Sequence, residues 1–456
     1  MIHQTDEIEK RVTDRINPSP KDRKIIETTI ENVREKLQQE ITKRDLSATI
    51  ELVGSTAKDT YLKHNMDIDL FLLFPTSVSK ENIGQYALAI GREILKDAEE
   101  GYAEHPYMRG VFNNYKVEIV PCYHIEHASQ KLSAVDRTPL HTKYVKKHLK
   151  ESQKQEVRLF KQFLHGIGCY GAEAEIEGFS GYLCEILIIK YGDFRKLIEE
   201  AQHWKDGKKL TLSDGTRPSF DTPLSFIDPV DSNRNVASAL SREKFDLFIR
   251  ACKAYINKPQ MTFFFPNEVK PWAVEKIQAE LEKQNHLYVG IIIAKPDIID
   301  ENLYPQIRKA ARSIRELCER YDFTIHDTTF HINEEKKRIS IIIKTKKGPI
   351  SKTFIHMGPP VKLKNNAKEF LQKWEENPRL AREPYEEKGR LYVEIEREYT
   401  DIIDLLKDQV KKLSMGKHLE KIIKKNYEIV GLENLLAEDL RVFWTSYLDE
   451  KMPWER

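Results

Sequence analysis

Hydrophobic positions along the chain switch between two spacings. Behind the capping pair Ser19-Pro20, apolar residues recur every three or four positions at Ile25, Ile26, Ile30, Val33, Leu37 and Ile41, which predicts an amphipathic helix of about five turns. Ser47 to Val53 reads instead as a strand ending at Gly54-Ser55, and Asp67 to Phe74 as a second strand. Ser79 to Glu99 predicts another amphipathic helix, with Ile83, Tyr86, Ala87, Ile90 and Ile94 along one side. The turn formers of Gly101 to Gly110 then lead into a strand from Tyr115 to Tyr123. From about residue 145 the pattern is helical around Val157, Leu159, Phe160 and Phe163, with Lys143, Lys146, Lys147, Lys150 and Lys154 interspersed.

Pro259, Pro266 and Pro271 mark a linker. Beyond it, His286 to Ile293 predicts a strand, Leu303 to Tyr321 a helix, and Phe323 to Ile332 with Arg338 to Thr345 a strand pair. This β-α-β-β order is that of an RNA-recognition-like layer in topology, without its aromatic signature. Gly389 to Glu396 predicts a further strand and Thr400 to Leu413 a helix. In the last helix, Leu432 to Leu448, the residues Leu435, Leu436, Leu440, Phe443, Trp444 and Tyr447 suit either a core or a dimer contact. The fold class is therefore α+β, in several domains.

Composition narrows this picture. With 456 residues and 40% apolar content, the chain is long enough for two to four domains with real cores. The net charge of +2 hides a local asymmetry. Between Lys336 and Lys368 there are Lys336, Lys337, Arg338, Lys344, Lys346, Lys347, Lys352, Lys362, Lys364 and Lys368 with no acidic residue, a surface suited to phosphates. The five cysteines form no Cys-x-x-Cys pair and sit among apolar residues, so buried thiols are expected rather than zinc or disulfides. Met1 to Lys10 lacks the apolar core of a signal peptide, and no window reaches the length of a membrane span, so a soluble cytoplasmic protein is expected.

The chemistry concentrates where charge interrupts the strands. Asp67 and Asp69 alternate onto one sheet face, roughly 7 Å apart by strand geometry, and two like charges at a strand end call for a cation. Gly54-Ser55 offers backbone N–H groups that an anion can approach without a Cβ in the way. Glu118, between Val117 and Ile119, adds a third carboxylate from a neighbouring strand. Three such groups suit a two-metal centre for nucleotidyl transfer to a triphosphate.

The set Gly54-Ser55, Asp67-x-Asp69 and Glu118 resembles the DNA polymerase β-like nucleotidyltransferase superfamily. Within it, the chain resembles the archaeal-type (class I) CCA-adding tRNA nucleotidyltransferases. The runs that carry this are Gly54 to Thr60, Asp67 to Pro75, Ser133 to Pro139, Tyr170 to Glu173, Gly178 to Glu185, Asp228 to Asp231 with Arg234 to Val236, and His356 to Pro360. The resemblance implies a polymerase β-like head (1–145), a helical neck (146–258), an α/β body (259–325 and 390–456) and a basic tail contacting tRNA (326–389). It implies that Asp67, Asp69 and Glu118 hold two Mg²⁺, and that Gly54, Ser55, Lys58, His141, Lys161, Tyr170 and Ser180 meet the phosphates and ribose of CTP or ATP. Arg234 would reach the edge of the base, its rigid fork of donors facing C or A, with Asp231 orienting it. Glu118 departs from the family, which usually has Asp there, and its extra methylene moves the carboxylate by about 1.5 Å.

The implied activity is template-independent addition of C, C and A to the tRNA 3′ end, with pyrophosphate leaving. The implied partners are tRNA, through its acceptor end and upper half, CTP, ATP and a possible second copy of the chain. Other members of the superfamily, such as poly(A)-adding polymerases and oligoadenylate-type synthetases, share the head, and a non-catalytic RNA-binding protein would retain the basic sheet. The runs after residue 133 favour the tRNA enzyme.

Overall fold

In the computed structural model, residues 2–102, 104–212, 218–375 and 377–456 are described. They fall into two units, Met1–Glu268 with Lys451–Arg456, and Val269–Glu450. The first unit begins with α1 (Ile2–Ile16) and α2 (Pro20–Lys43). Ser19 opens α2 with a reciprocal cap: its hydroxyl accepts from the Asp22 N–H at 3.1 Å, and the Asp22 carboxylate accepts from the Ser19 N–H at 2.8 Å. Ile26, Ile30, Val33, Leu37 and Ile41 are buried as the spacing predicts, whereas Ile25 faces solvent.

Then come β1 (Thr49–Val53), α3 (Gly54–Lys58), β2 (Asp67–Phe74), α4 (Lys80–Ile94), β3 (Lys96–Tyr102), β4 (Pro106–Phe112) and β5 (Tyr115–Tyr123). The sheet runs β1-β2-β5-β4-β3, with β2 and β5 parallel and the other pairs antiparallel. Alternation along β2 sends Ile68, Leu70, Leu72 and Phe74 into one core with α2 and with Ile83, Ala87 and Ile90 of α4. The other face carries Asp67, Asp69, Phe71 and Leu73, the last two packed with Val53, Val120 and Cys122.

The helix expected as far as Glu99 stops at Ile94, and the stretch expected as turns forms the β3–β4 hairpin. The glycines there make room for packing: a Cβ on Gly110 would stand 2.8 Å from the Lys96 carbonyl, and one on Gly101 would meet the Tyr107 ring at 2.3 Å.

The rest of this unit is helical: α5 (Arg137–His148), α6 (Glu151–Gly166), α7 (Gly181–Tyr191) and α8 (Phe194–Ala201), then the short parallel pair β6 (Lys208–Leu210) and β7 (Leu224–Phe226), then α9 (Arg242–Asn257). Phe160, Phe163, Phe179, Phe194, Phe248 and Tyr255 build its core. The proline-marked linker is partly core too. Phe263 and Phe264 are buried, and a Cβ on Gly166 would stand 2.1 Å from the Phe263 carbonyl oxygen.

The second unit opens with a helix that the sequence reading did not mark, α10 (Val274–Lys283), after which β8 (His286–Ala294), α11 (Asp300–Arg320), β9 (Ile325–Asn333) and β10 (Arg338–Lys346) follow the expected order. Leu303, Ile307, Ala310 and Ile314 of α11 pack on Val289, Ile291, Ile293, Ile339, Ile341 and Ile343. Next come β11 (Thr353–Pro360), α12 (Lys364–Trp374), β12 (Leu380–Glu387), β13 (Arg390–Glu396), α13 (Ile402–Gln409), α14 (Lys417–Lys425), β14 (Glu428–Val430), α15 (Leu432–Leu435) and α16 (Arg441–Asp449). The sheets are β14-β8-β10-β9 and β11-β13-β12.

The strands of this unit thus divide between two sheets. Strand β10 pairs with β8 on one side, where Ile339 and Ile341 meet Ile293 and Ile291 in register, and with β9 on the other, while β13 pairs with β11 and β12. The last predicted helix splits into α15 and α16. Trp444 is buried edge-on against Tyr288 and donates from Nε1 to the Leu435 carbonyl at 2.6 Å, so it belongs to the core. All five cysteines are buried and free. No described helix is long and apolar enough to cross a membrane.

Candidate active site

Parallel pairing sets Asp69 opposite Glu118 and Asp67 opposite Lys116, so the three carboxylates share one sheet face at the ends of β2 and β5. Burial, then the charges of Glu118 and Asp67, push Asp69 up to about 7, against the pull of Lys58. Glu118 is also raised, by burial first and then by Asp67, against Arg109 and Lys116. Gly54 has φ +72° and its missing Cβ would stand 1.8 Å from Asp69 Oδ2, so only glycine fits there. The Thr56 hydroxyl donates to the Asp67 carbonyl at 2.5 Å and ties α3, which carries Ser55, to β2. Among the described residues no three acidic, His or Cys side chains form a ready-made metal cage. The repulsion within this acidic group nevertheless fits a divalent cation, which the side chains would gather by changing rotamer.

Lys58 and Lys161 both turn to one buried carboxylate, Glu185 of α7. Lys58 Nζ donates to Oε2 at 2.5 Å, Thr60 Oγ1 donates to Oε1 at 2.6 Å, and Lys161 Nζ stands 3.7 Å from Oε1 while donating to the Thr60 carbonyl at 3.0 Å. Burial works against charge on Glu185, but Lys58 and Lys161 outweigh it and hold its carboxyl below the usual range. Burial lowers Lys161 as well. Arg158, one turn before Lys161, bonds the Asp59 side chain and the Tyr61 carbonyl, which fastens the loop after α3 to α6.

Tyr170 reaches this wall because the backbone around it pairs with Phe179. Gly181, beside Ser180, packs closely on the site: a Cβ there would crowd Tyr170 Oη at 3.1 Å and lie 3.7 Å from Lys161 Nζ. Gly178, expected to let the backbone approach a ligand, is instead required by the chain itself, since its Cβ would stand 2.1 Å from the Cys169 carbonyl oxygen. Ser180 caps α7, accepting from the Leu183 N–H at 3.2 Å. The His165 ring lies tilted against Tyr170, 4.1 Å between centroids, and burial holds its imidazole down to about 4, so it is neutral.

His141 and Arg234 meet on Asp228, another buried carboxylate. Its Oδ2 accepts from His141 Nε2 at 2.8 Å and from Arg234 Nη1 at 2.9 Å, and its Oδ1 accepts from Tyr182 Oη at 3.2 Å and from the Val230 N–H at 3.0 Å. Tyr182 also stacks on His141 at 4.0 Å. Burial keeps His141 below the usual imidazole range, against the pull of Asp228, so the neutral ring donates its Nε2 proton to Asp228. Asp231, expected to orient Arg234, instead pairs with Lys131 at 2.6 Å and Arg137 at 2.9 Å; Asp228 holds Arg234. Beside this loop a cleft of about 790 Å³ is lined by Lys131, Lys143, Lys147 and Tyr144, with Tyr144 stacked on His148 at 4.0 Å.

Glu185, Asp228 and Tyr182 had no assigned role in the sequence, although Glu185 carried a signal. It is the one charged residue inside the apolar run Tyr182 to Ile189, and a charge so placed needs a buried partner.

The family model for nucleotidyltransferase domains matches residues 30–141. That for the second domain of tRNA nucleotidyltransferases matches 155–265, and that for the C-terminal domain of CCA-adding enzymes 285–431. The CCA-adding enzyme of Methanosarcina acetivorans is 34% identical over 96% of this chain and 97% of its own length. That of Methanocaldococcus jannaschii is 37% identical over 89% and 90%, and that of Haloarcula marismortui 31% identical over 99% and 100%.

Proposed function

The chain belongs to the archaeal-type (class I) CCA-adding tRNA nucleotidyltransferases and adds C, C and A to the 3′ end of tRNA, and we propose that it does so at the site built on β2, β5 and α7. The observation that carries this placement is the register of Asp69 against Glu118 beside Gly54. In this reading CTP and ATP are the donors and no template is used. Asp67, Asp69 and Glu118 would hold two Mg²⁺, which when bound would supply the positive charge that favours deprotonation of the primer 3′-hydroxyl and departure of pyrophosphate.

The chain's own groups bind and orient the nucleotide. Ser55, Lys58 and Lys161 face the triphosphate, and Tyr170 and Ser180 the ribose and phosphates. His141, fixed by its bond to Asp228 and its stack on Tyr182, stands with these groups toward the phosphates. Arg234, its fork fixed by Asp228, presents donors to the base edge. The cationic cleft beside Arg234 suits the acceptor strand, and the basic strands of the second unit suit the upper half of tRNA. By this reading 1–145 is the catalytic head and 146–258 the neck, and the protein works in the cytoplasm on its tRNA substrate.

A tRNA transcript lacking its last three nucleotides, given CTP and ATP with Mg²⁺, tests this. Products ending after C, C and A are expected. An open-ended ladder of A would overturn it in favour of a poly(A)-type enzyme.

A further inference from the structure

Glu185 gathers cations from two other elements. Lys58 at the end of α3 is 8% exposed, Lys161 of α6 is 2% exposed and Glu185 of α7 is fully buried. Glu185 Oε2 takes Lys58 and Oε1 takes Thr60, with Lys161 bridging Thr60 and Oε1. Arg158 on α6 bonds Asp59, which also takes Arg23 and Lys154, so that carboxylate has no charge to spare for the two lysines. Two buried ammonium groups therefore share one buried carboxylate, and an unbalanced charge away from water is costly. The cluster is not sealed on every side. Lys58 keeps some of its surface exposed, and its charge is felt by both Asp69 and His141.

Resting on the nucleotide pocket above, we propose that Glu185 is a positioning residue that holds Lys58 and Lys161 together with one positive charge in excess, and that the triphosphate of the incoming nucleotide is the anion that balances it. The triphosphate is common to CTP and ATP, so Glu185 serves both donors alike and takes no part in choosing between them. Its effect lies on nucleotide affinity, because the lysines are set before the nucleotide arrives. A carboxylate that merely fastened α3 to α7 would instead act on stability and on the rate at saturation.

Rates of C and A incorporation by the full-length protein, with inorganic tripolyphosphate as a competing inhibitor, separate these cases for wild type, E185Q, E185D, K161M and the E185Q/K161M pair. E185Q is expected to raise KM for CTP and ATP by the same factor, about tenfold or more, and to weaken tripolyphosphate inhibition equally. It should leave kcat within about threefold. In the pair, E185Q should add less to the K161M loss than it costs wild type, because only Lys58 still depends on Glu185 there, and E185D should recover part of the loss. A folded E185Q with unchanged KM, or with only kcat reduced, overturns the role of Glu185 while leaving the pocket intact if K161M still weakens both nucleotides. K161M without effect on KM or on tripolyphosphate overturns the pocket reading and this proposal with it. Should E185Q melt below the assay temperature, E185D decides: a KM raised equally for both donors supports the proposal, and an unchanged KM overturns it.

Discussion

At Asp69 the chain keeps a carboxylate whose surroundings resist its charge. Its proton leaves near 3.8 in an ordinary setting and at about 7 in the fold. Between those values the folded protein holds the proton more tightly than the unfolded chain does, so without metal stability is lost as pH rises from about 4 to about 7. Asp69→Asn should therefore melt above wild type at pH 8 in EDTA, with the difference closing near pH 4. Mg²⁺ should stabilise wild type and not the variant, and the variant should lose nearly all incorporation. Thermal melts with and without Mg²⁺ check this; equal melting at pH 8 would remove the like-charge argument. Gly54→Ala tests the same carboxylate from the other side. A Cβ displacing Asp69, on a backbone at φ +72°, should cost about a hundredfold in incorporation rate, measurable in single-turnover assays. The three carboxylates were legible in the sequence because alternation alone assigns a strand residue to a face. Glu185 and Asp228 were not, because their partners are remote: Lys58 lies 127 positions from Glu185 and His141 lies 87 from Asp228.

Among the elements, α6 joins stability to the site. Its buried face sends Phe163 among Phe194, Tyr255, Phe263 and Phe264, while Arg158 and Lys161 on the same helix reach the loop after α3. Phe163→Ala should cost about 3–5 kcal/mol in denaturant unfolding and raise KM for both nucleotides as α6 shifts. Unchanged unfolding would mean the aromatic cluster repacks without loss. The period of α6 was readable from Val157, Phe160 and Phe163, as was that of α11 from its own stripe. The β3–β4 hairpin was not readable. Strand β3 lies at the sheet edge with its charged side chains in water, so no apolar alternation marks it, and its glycines look like turn formers until the neighbouring strand is in place.

Over the whole molecule, the proposed tRNA surface is the basic stretch of the second unit. Lys346, Lys347 and Lys352 are exposed. Replacing all three by Gln should raise KM for tRNA, leave kcat at saturating tRNA nearly unchanged, and flatten the salt dependence of binding by up to about one unit of log–log slope per lysine that meets a phosphate. A filter-binding series over salt concentration checks it, and an unchanged slope would place the RNA elsewhere. The order of motifs from Gly54 to Pro360 was sufficient to name the family, because strand and helix periods and short chemical runs are local properties of a chain. Strand pairing in the second unit was not local: β13 joins β11 and β12 while β14 returns to β8, a choice made by matched apolar faces far apart in sequence. The sequence by itself determined which three carboxylates share a strand face, the glycine beside them and the family. Only the tertiary structure decided that Lys58 and Lys161 share Glu185 and that Arg234 and His141 share Asp228, because a buried charge is defined by the partner that folding brings to it.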